Sequence, residues 1–392
     1  MPLRRLLVYM ELSGMPFDQG LATQLWNRVR ETMDSLEDQI YMKARKRFSL
    51  SSRKDLKKVK ESLNIKAGDT EHPFIVNIHN WRKLSSLKSR NLSPLLMTHL
   101  KDGRCRGQSC SFTVTGRIVM HNPNLQHIPR DFTVNNELFS LRSAFVAKPG
   151  NVILSADYCQ LELRILAHFS QDPDLLSSIH NEADVFVSIA AKWNNISPDK
   201  VTDDIRHQTK QIIYGIIYGM GDRALGDALG IDPPEAALLA AKFRRSYPGV
   251  QRFMDACIAD CRRKGYVTTL TGRVRRLKGI SSSSPSVRAQ AERQAVNSTI
   301  QGSAADIAKS ATLRVESKLA ESIENRGHVL TPLSASHLIL HLHDELIYEV
   351  SNDYVEAVKE TLKTEMAGAV QLKVALPVVV KCGPSWGQMK KI

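Results

Sequence analysis

Three acidic residues at the ends of apolar runs are the side chains best suited to chemistry. Asp344 and Glu345 stand between two apolar runs, and Asp157 ends the apolar run that begins at Asn151. Burying an unpaired carboxylate is costly, so acids at the ends of buried strands usually meet a metal ion or a basic partner. Two such acids could hold two Mg²⁺ ions around a phosphate, which makes phosphoryl transfer the leading hypothesis.

A second pattern spaces two cations and two aromatic residues four positions apart: Arg206, Lys210, Tyr214 and Tyr218. On a helix each step of four residues turns by about 40°, so these side chains form one slowly turning stripe. Such a stripe fits a nucleoside triphosphate, with the phosphates toward the cations and the sugar and base toward the tyrosines. An ordinary amphipathic helix with two snorkelling cations gives the same pattern, so the stripe gains weight only beside the acids.

Two other motifs lack the neighbouring elements that their usual functions require. Gly219 to Ala224 fits the dinucleotide-binding pattern GxGxxA but follows a predicted helix instead of a strand. His343 and Asp344 resemble a hydrolase dyad, yet no Gly-x-Ser-x-Gly elbow supplies a nucleophile.

The elements that must position these residues are predicted to be both helices and strands. Helices are expected over residues 1–65, from Leu161, across most of 171–290, from Ser286 to Leu319 and from Val355 to Met366. Strands are expected over 112–119, with an interrupting turn at Gly116, over 151–158, on both sides of Asp344 and over 375–381. Strand acids from distant segments, with a helical insertion between them, predict an α+β catalytic core.

Composition favours a polyanionic partner. The 392 residues carry a net charge of +14, and residues 43–60 hold nine Lys or Arg and one acid, Asp55, as expected of a surface that contacts phosphates. No apolar run approaches the roughly 20 residues that cross a membrane. The six cysteines form no CxxC pair, and no zinc pattern is present, so a reducing compartment is expected.

Taken together, these segments closely resemble the family A DNA polymerases. The segment from Asp157 to Arg164 is similar to the first catalytic motif of that family, Arg206 to Gly219 to its nucleotide-binding helix, and His343 to Glu345 to its last catalytic motif. Further matching segments are Thr115 to Arg117 with Pro123 to Pro129, Arg293 to Asn297 with Gln301 to Asp306, and Gly383 to Trp386. The resemblance implies a right-hand architecture: a thumb over 1–100, a palm with an antiparallel sheet over 101–170 and 291–392, and helical fingers over 171–290.

The resemblance also implies a role for each site residue. Asp157, Asp344 and the carbonyl of Tyr158 would hold two Mg²⁺ ions, for which Mn²⁺ could substitute, and Glu345 would assist. Lys210 would neutralise the phosphates and protonate the leaving group. The dNTP site would consist of Arg206, Lys210, Tyr214, Tyr218, Glu162 and Gln160. The primer–template DNA would be held by Arg117, Arg293, Asn297, Gln301 and His343.

Two of these residues imply a choice of nucleotide. Glu162 would crowd the 2′ position of the sugar and exclude ribonucleotides. Tyr214 stands where many relatives have Phe, and its hydroxyl would replace a missing 3′-hydroxyl contact, which predicts easy incorporation of dideoxynucleotides.

The residues of these motifs are most similar to those of the eukaryotic theta branch of the family, and next to those of the nu branch. From that branch a repair role and a nuclear location are expected, for a monomer without a proofreading exonuclease. The segments around 66–72, 131–141 and 323–337 are short where the theta branch has long loops, which puts loop-dependent functions in doubt. Two alternatives remain open: a single-subunit RNA polymerase, against which Glu162 argues, and a catalytically inactive nucleic-acid-binding fragment.

Overall fold

Helices make up most of the chain, and the long strands come from its middle and its C-terminal portion. The computed structural model describes residues 2–66, 69, 71–97, 100, 102–180, 184–324 and 335–392. The α-helices are α1 Pro2–Ser13, α2 Gln19–Ala44, α3 Arg53–Ser62, α4 Pro73–Ser86, α5 Ser93–Met97, α6 Leu161–Ser170, α7 Pro173–His180, α8 Val185–Asn194, α9 Asp203–Ile217, α10 Asp222–Leu229, α11 Pro233–Ser246, α12 Pro248–Lys264, α13 Pro285–Glu324 and α14 Val355–Ala367. The strands are β1 Met15–Pro16, β2 Arg104–Cys105, β3 Gln108–Cys110, β4 Val119–His121, β5 Phe132–Val134, β6 Glu137–Phe139, β7 Asn151–Tyr158, β8 Tyr266–Thr268, β9 Val274–Arg276, β10 Ser336–Leu342, β11 Glu345–Ser351, β12 Val378–Gly383 and β13 Lys390–Lys391.

A five-stranded antiparallel sheet, in the order β10–β11–β7–β12–β13, forms the centre of the fold. The hairpin between β10 and β11 turns at His343 and Asp344, and His343 takes the left-handed backbone conformation (φ +60°) that closes this two-residue turn. In the pairing of β11 with β7, Glu345 lies opposite Asp157. The predicted strands on both sides of Asp344 are confirmed, and their register brings the acids of two distant segments to one end of the sheet.

Helices cover the face of the sheet that points away from Asp157. Neighbouring residues of a strand point to opposite faces, and Tyr158 donates a hydrogen bond of 2.7 Å to the carbonyl of Met366 at the end of α14. On the same face, the buried Tyr348 of β11 donates a 2.8 Å bond to Glu316 of α13. The opposite face carries Asp157 and Glu345 at one end of the sheet and buries Ser155 and Ile347 farther along.

The N-terminal helices contribute to the main core and also form a second, smaller one. The predicted apolar face of α2 is buried over Leu25, Val29, Met33, Leu36 and Ile40, but Leu21 is 39% exposed, because Ala22 occupies the inward position in the first turn. A separate apolar cluster joins the C-terminal end of α2 to α3 and α4. The cap at the start of α3 is Ser52, whose hydroxyl accepts a 3.1 Å hydrogen bond from the amide of Asp55.

Two secondary-structure predictions are wrong in part. The predicted turn at Gly116 is present, since its amide bonds to the carbonyl of Thr113, but the rest of the segment up to Ile118 is a loop and the strand begins only at Val119. Phe112, which is 90% exposed, has no sheet face to pack against. The helical prediction for 171–290 omits the β8–β9 hairpin. The α+β class with an antiparallel sheet is confirmed.

Of the three segments predicted to be short, the one around 131–141 lies fully within the described residues. Residues 132–139 form the tight β5–β6 hairpin. The other two segments, around 66–72 and 323–337, lie partly outside the described residues. None of the described helices is long and apolar enough to cross a membrane.

Candidate active site

Asp157 and Asp344 lie beside each other at one end of the sheet. Asp157 is next to last in β7, Asp344 lies in the β10–β11 turn, and the amide of Tyr158 donates to the carbonyl of Asp344 at 3.5 Å. Burial, with the negative charges of Asp344 and Glu345, raises the pKa of Asp157 to about 7. The pKa of Asp344 is also raised, chiefly by burial. Half-buried carboxylates that repel one another favour binding of a proton or a cation.

The surroundings of this pair fit a hard divalent cation. Within the described part of the chain, no Lys, Arg or His nitrogen lies within 4.0 Å of either carboxylate. Over the same residues no group of three or more His, Cys, Asp and Glu side chains is arranged to hold a metal. Mg²⁺ commonly takes only one or two protein carboxylates and completes its shell with water and substrate phosphates. Two carboxylates beside the backbone of Tyr158 therefore suit Mg²⁺ better than a metal that needs an all-protein cage.

Glu345 lies next to the pair with different contacts. It sits directly opposite Asp157 in the β11–β7 register. Burial raises the pKa of Glu345, and the Ser155 hydroxyl and Arg142 act in the opposite direction. Glu345 therefore interacts with Ser155 and Arg142 as well as with the other acids.

The predicted stripe of cations and aromatic residues faces these acids across an open cleft of about 500 Å³. Arg206, Lys210 and Tyr214 lie on α9, and Tyr218 is the residue that ends it. The Nζ atom of Lys210 lies 6.0 Å from the centre of the Tyr214 ring, and the two tyrosine rings are 5.8 Å apart. The acids and the stripe thus line one cleft, and Lys381 and Arg130 add positive charge near Asp157.

Arg206 is held by an acid that the sequence reasoning did not single out. Its Nε and Nη2 atoms each lie 2.7 Å from Oδ2 of Asp184. Asp184 also caps α8, since its Oδ1 accepts bonds from the amides of Phe186 and Val187. An anion entering the cleft would meet Arg206 already oriented, but paired with Asp184.

Glu162 is the centre of a second cluster at the floor of the cleft. Arg117 donates to its Oε1 at 2.6 Å, and the Tyr218 hydroxyl donates to its Oε2. Burial raises the pKa of Glu162, although the bonds from Tyr218 and Arg117 oppose that rise. Gln160, in the left-handed conformation (φ +48°), precedes α6 and also lines the cleft.

The residues predicted to bind DNA lie around the base of the cleft. Arg293 of α13 packs its side chain against Gly219, where a Cβ atom would lie 2.6 Å from Cγ of Arg293. The side-chain amide of Asn297 donates to the carbonyl of Tyr218 at 3.4 Å. Gln301 is half-buried one turn farther along α13. Partial burial of the His343 ring, together with the charges of Arg117 and His127, lowers its pKa.

Sequence reasoning missed three charged or aromatic residues that line the cleft, Arg130, Phe186 and Lys381, and it missed Asp184, which holds Arg206. Lys381 could have been found, because alternate residues of a strand share a face and Val379 pairs with Asp157. Arg130 lies in a loop without periodicity, and nothing in the sequence marks it.

Comparisons with known proteins agree on one family. A family model described as DNA polymerase family A matches residues 19–388. DNA polymerase theta of Drosophila melanogaster is 39% identical over 100% of this chain and 20% of its own length. The thermostable DNA polymerase I of Thermus filiformis is 34% identical over 100% of this chain and 48% of its own length.

A solved structure is similar throughout the fold. It is the POL domain of Pol1 from M. smegmatis in complex with DNA primer-template and dNTP, with a TM-score of 0.87 and 30% identity over 98% of this chain and 70% of that one. The chain spans about a fifth of the theta relative and about half of the bacterial one.

Proposed function

Because the chain belongs to DNA polymerase family A, we propose that it is a DNA-directed DNA polymerase. It adds dNTPs to the 3′-hydroxyl of a primer as a template directs, and it releases pyrophosphate. The observation that carries the proposal is the cleft in which Asp157 and Asp344 face Arg206 and Lys210. The thumb is assigned to residues 1–100, the palm to 101–170 and 291–392, and the fingers to 171–290.

Each side of the cleft has its own task in this proposal. Asp157, Asp344 and the carbonyl of Tyr158 would hold two divalent ions, preferably Mg²⁺. Bound there, the ions would supply Lewis-acid activation of the attacking hydroxyl and charge neutralisation for the phosphates. Lys210 neutralises the phosphates and delivers a proton to the departing pyrophosphate. Arg206 binds the outer phosphates, for which it must leave its ion pair with Asp184.

The floor of the cleft selects the sugar and the base pair. Glu162, held by Arg117 and Tyr218, is fixed where a ribose 2′-hydroxyl would collide with it. Tyr218 packs at the nascent base pair, and Tyr214 supplies its hydroxyl near the sugar. Arg293, Asn297, Gln301 and His343 contact the primer–template end, together with Arg117. Minor-groove acceptors are similar in all correct pairs, so such contacts test pair shape without reading sequence.

The partner is primer–template DNA. The similar structure is a complex with DNA primer-template and dNTP, and the net charge of +14 suits a polyanion. A repair role in the nucleus, as a monomer, is also proposed, and it rests on similarity to the theta relatives. Imaging of the tagged protein in cells tests the location.

The decisive experiment is primer extension on a primed DNA template with Mg²⁺ and dNTPs. Asp344→Ala should abolish extension and retain DNA binding, whereas Asp353→Ala, which removes an exposed acid just after β11, should extend like the wild type. Equal extension by the wild type and Asp344→Ala would contradict the proposal. Binding without extension by the wild type would favour an inactive module, and a preference for ribonucleotides would favour an RNA polymerase.

A further inference from the structure

The turn of the β8–β9 hairpin docks onto α13 through a set of polar contacts. The amide of Leu270 donates to Oγ of Ser303 at 2.8 Å, and the Thr271 hydroxyl donates to Oδ2 of Asp306 at 2.8 Å. A Cβ atom at Gly302 would lie 2.6 Å from Cγ2 of Thr269. The hairpin is therefore fixed to the stretch of α13 that directly follows Gln301.

Arg273, at the end of this turn, joins three segments of the chain. Its Nε atom donates to Oδ1 of Asp306 at 2.9 Å. Its Nη2 atom donates to the carbonyl of Gly302 at 3.1 Å and to the carbonyl of Thr115 at 2.7 Å. Only a planar guanidinium can satisfy these acceptors at once, because its donors are fixed in a fork.

The third segment is the turn that carries Arg117. Gly116 takes a left-handed conformation (φ +82°), and a Cβ atom there would lie 2.5 Å from Cζ of Arg273. The guanidinium thus packs flat against a position that only glycine can fill. The Thr113 hydroxyl donates to the carbonyl of Arg117 at 2.7 Å and completes the turn.

We propose that Arg273 is a positioning residue for nucleotide selection, acting through Arg117 on Glu162. The contacts are continuous: Arg273 holds Thr115 and Gly116, the turn fixes the backbone of Arg117, and Arg117 binds Glu162 at 2.6 Å. Arg273 is about a third exposed and Asp306 about a tenth, so water competes only weakly with this clamp. The inference rests on the proposed function, since it assigns a role within the same site.

The test compares two identical substitutions in one hairpin. Arg273→Lys keeps the charge but loses the fork, and Arg276→Lys makes the same change at an exposed position of β9. For each enzyme, kcat/KM is measured for dATP and for ATP in primer extension. The ratio of the two values does not depend on the folded fraction of the preparation, so a loss of stability alone leaves it unchanged.

Arg273→Lys should lower the preference for dATP by about 10-fold, within the ~100-fold that a 1 Å misplacement can cost. Arg276→Lys should change the preference for dATP by less than about 2-fold, because an exposed charge contributes little free energy. Adding Arg273→Lys to Arg117→Lys should cause little further loss, because residues that act through one another are not additive. Asp306→Asn, which leaves Arg273 in place, should give a smaller loss in the same direction.

An unchanged preference in Arg273→Lys, an equal loss in Arg276→Lys, or additive losses in the double variant would each overturn the inference. Absence of primer extension by the wild type would instead refute the proposed function.

Discussion

The Nη2 atom of Arg117 lies 2.6 Å from Oε1 of Glu162, and this ion pair joins the loop before β4 to the first turn of α6. Glu162 is 7% exposed, so its side chain has little freedom to move. A carboxylate held by a cation on one oxygen and by the Tyr218 hydroxyl on the other keeps a fixed position. A side chain in a fixed position can exclude a substrate by steric clash, which a mobile side chain would do poorly.

Replacement of Glu162 by alanine should therefore admit ribonucleotides. The preference for dATP over ATP, measured as a ratio of kcat/KM, should fall by about 10–200-fold, the range that shape discrimination in a pocket provides. Glu162→Gln keeps the volume and loses the charge, so it should retain most of the preference. Similar losses in both variants would show that charge, and not volume, makes the selection.

Tyr214 provides a prediction about chain terminators. Its ring packs beside those of Tyr218 and Phe186, and its hydroxyl is the only group that Tyr214→Phe removes. Discrimination against dideoxynucleotides, measured by competition with dNTPs, should rise by about 10-fold, the cost of roughly one hydrogen bond. Tyr266→Phe, on the β8–β9 hairpin, is the control. Equal discrimination in the wild type and Tyr214→Phe would contradict the assigned role of the hydroxyl.

The sequence predicted the site best where residues that can do chemistry lie in segments with the periodicity of a strand or a helix. Asp157 and Asp344 could be predicted to meet because each lies at the end of an apolar strand, and the stripe on α9 follows from helical spacing alone. The long helix α13 was predicted within a few residues at each end. The family resemblance read from these motifs is confirmed by the family model.

Contacts between distant segments could not be predicted in the same way. The bridge from Arg273 to Thr115 spans 158 residues, and no spacing rule connects them. Glu292 of α13 likewise pairs with Arg262 of α12, 30 residues earlier in the chain. The roles assigned to the site residues remain predictions.

The basic segment 43–60 predicts how DNA binding responds to salt. On α3, Leu56 and Val59 are buried, and Lys57 and Lys58 are exposed on the other side. Removing both in Lys57→Ala/Lys58→Ala should reduce the slope of log Kd against log salt by about 2, since each phosphate contact contributes about 0.9. Fluorescence anisotropy with labelled primer–template DNA measures this slope.

The control for this experiment is Lys359→Ala/Lys363→Ala on α14, where the two lysines pair with Glu356 and Glu360 of the same helix. That helix covers the face of the sheet opposite Asp157, so its cations should not contact the DNA and the slope should stay unchanged. An unchanged slope in the α3 variant, or equal decreases in both variants, would refute the assignment of the segment to DNA binding.

The acidic pair predicts an unusual dependence of stability on pH. Asp157 has a pKa of about 7 in the folded protein and about 3.9 when unfolded, so the folded state binds its proton more tightly. The carboxyl therefore costs no stability below a pH of about 4, and the cost grows as the pH rises toward 7. Asp157→Asn should stabilise the metal-free protein by roughly 1–4 kcal/mol at pH 8 and by clearly less at pH 5.

Urea unfolding in EDTA at both pH values measures these free energies, and the exposed-site variant Asp353→Asn serves as the control. Addition of Mg²⁺ should then reverse the order at pH 8, because an ion that binds only the folded state stabilises it in proportion to its affinity, and Asp157→Asn removes a ligand. If Asp157→Asn stabilised the protein equally at pH 5 and pH 8, the charge on Asp157 would not be the cause, since both its burial cost and its repulsion from Asp344 and Glu345 require the ionised form.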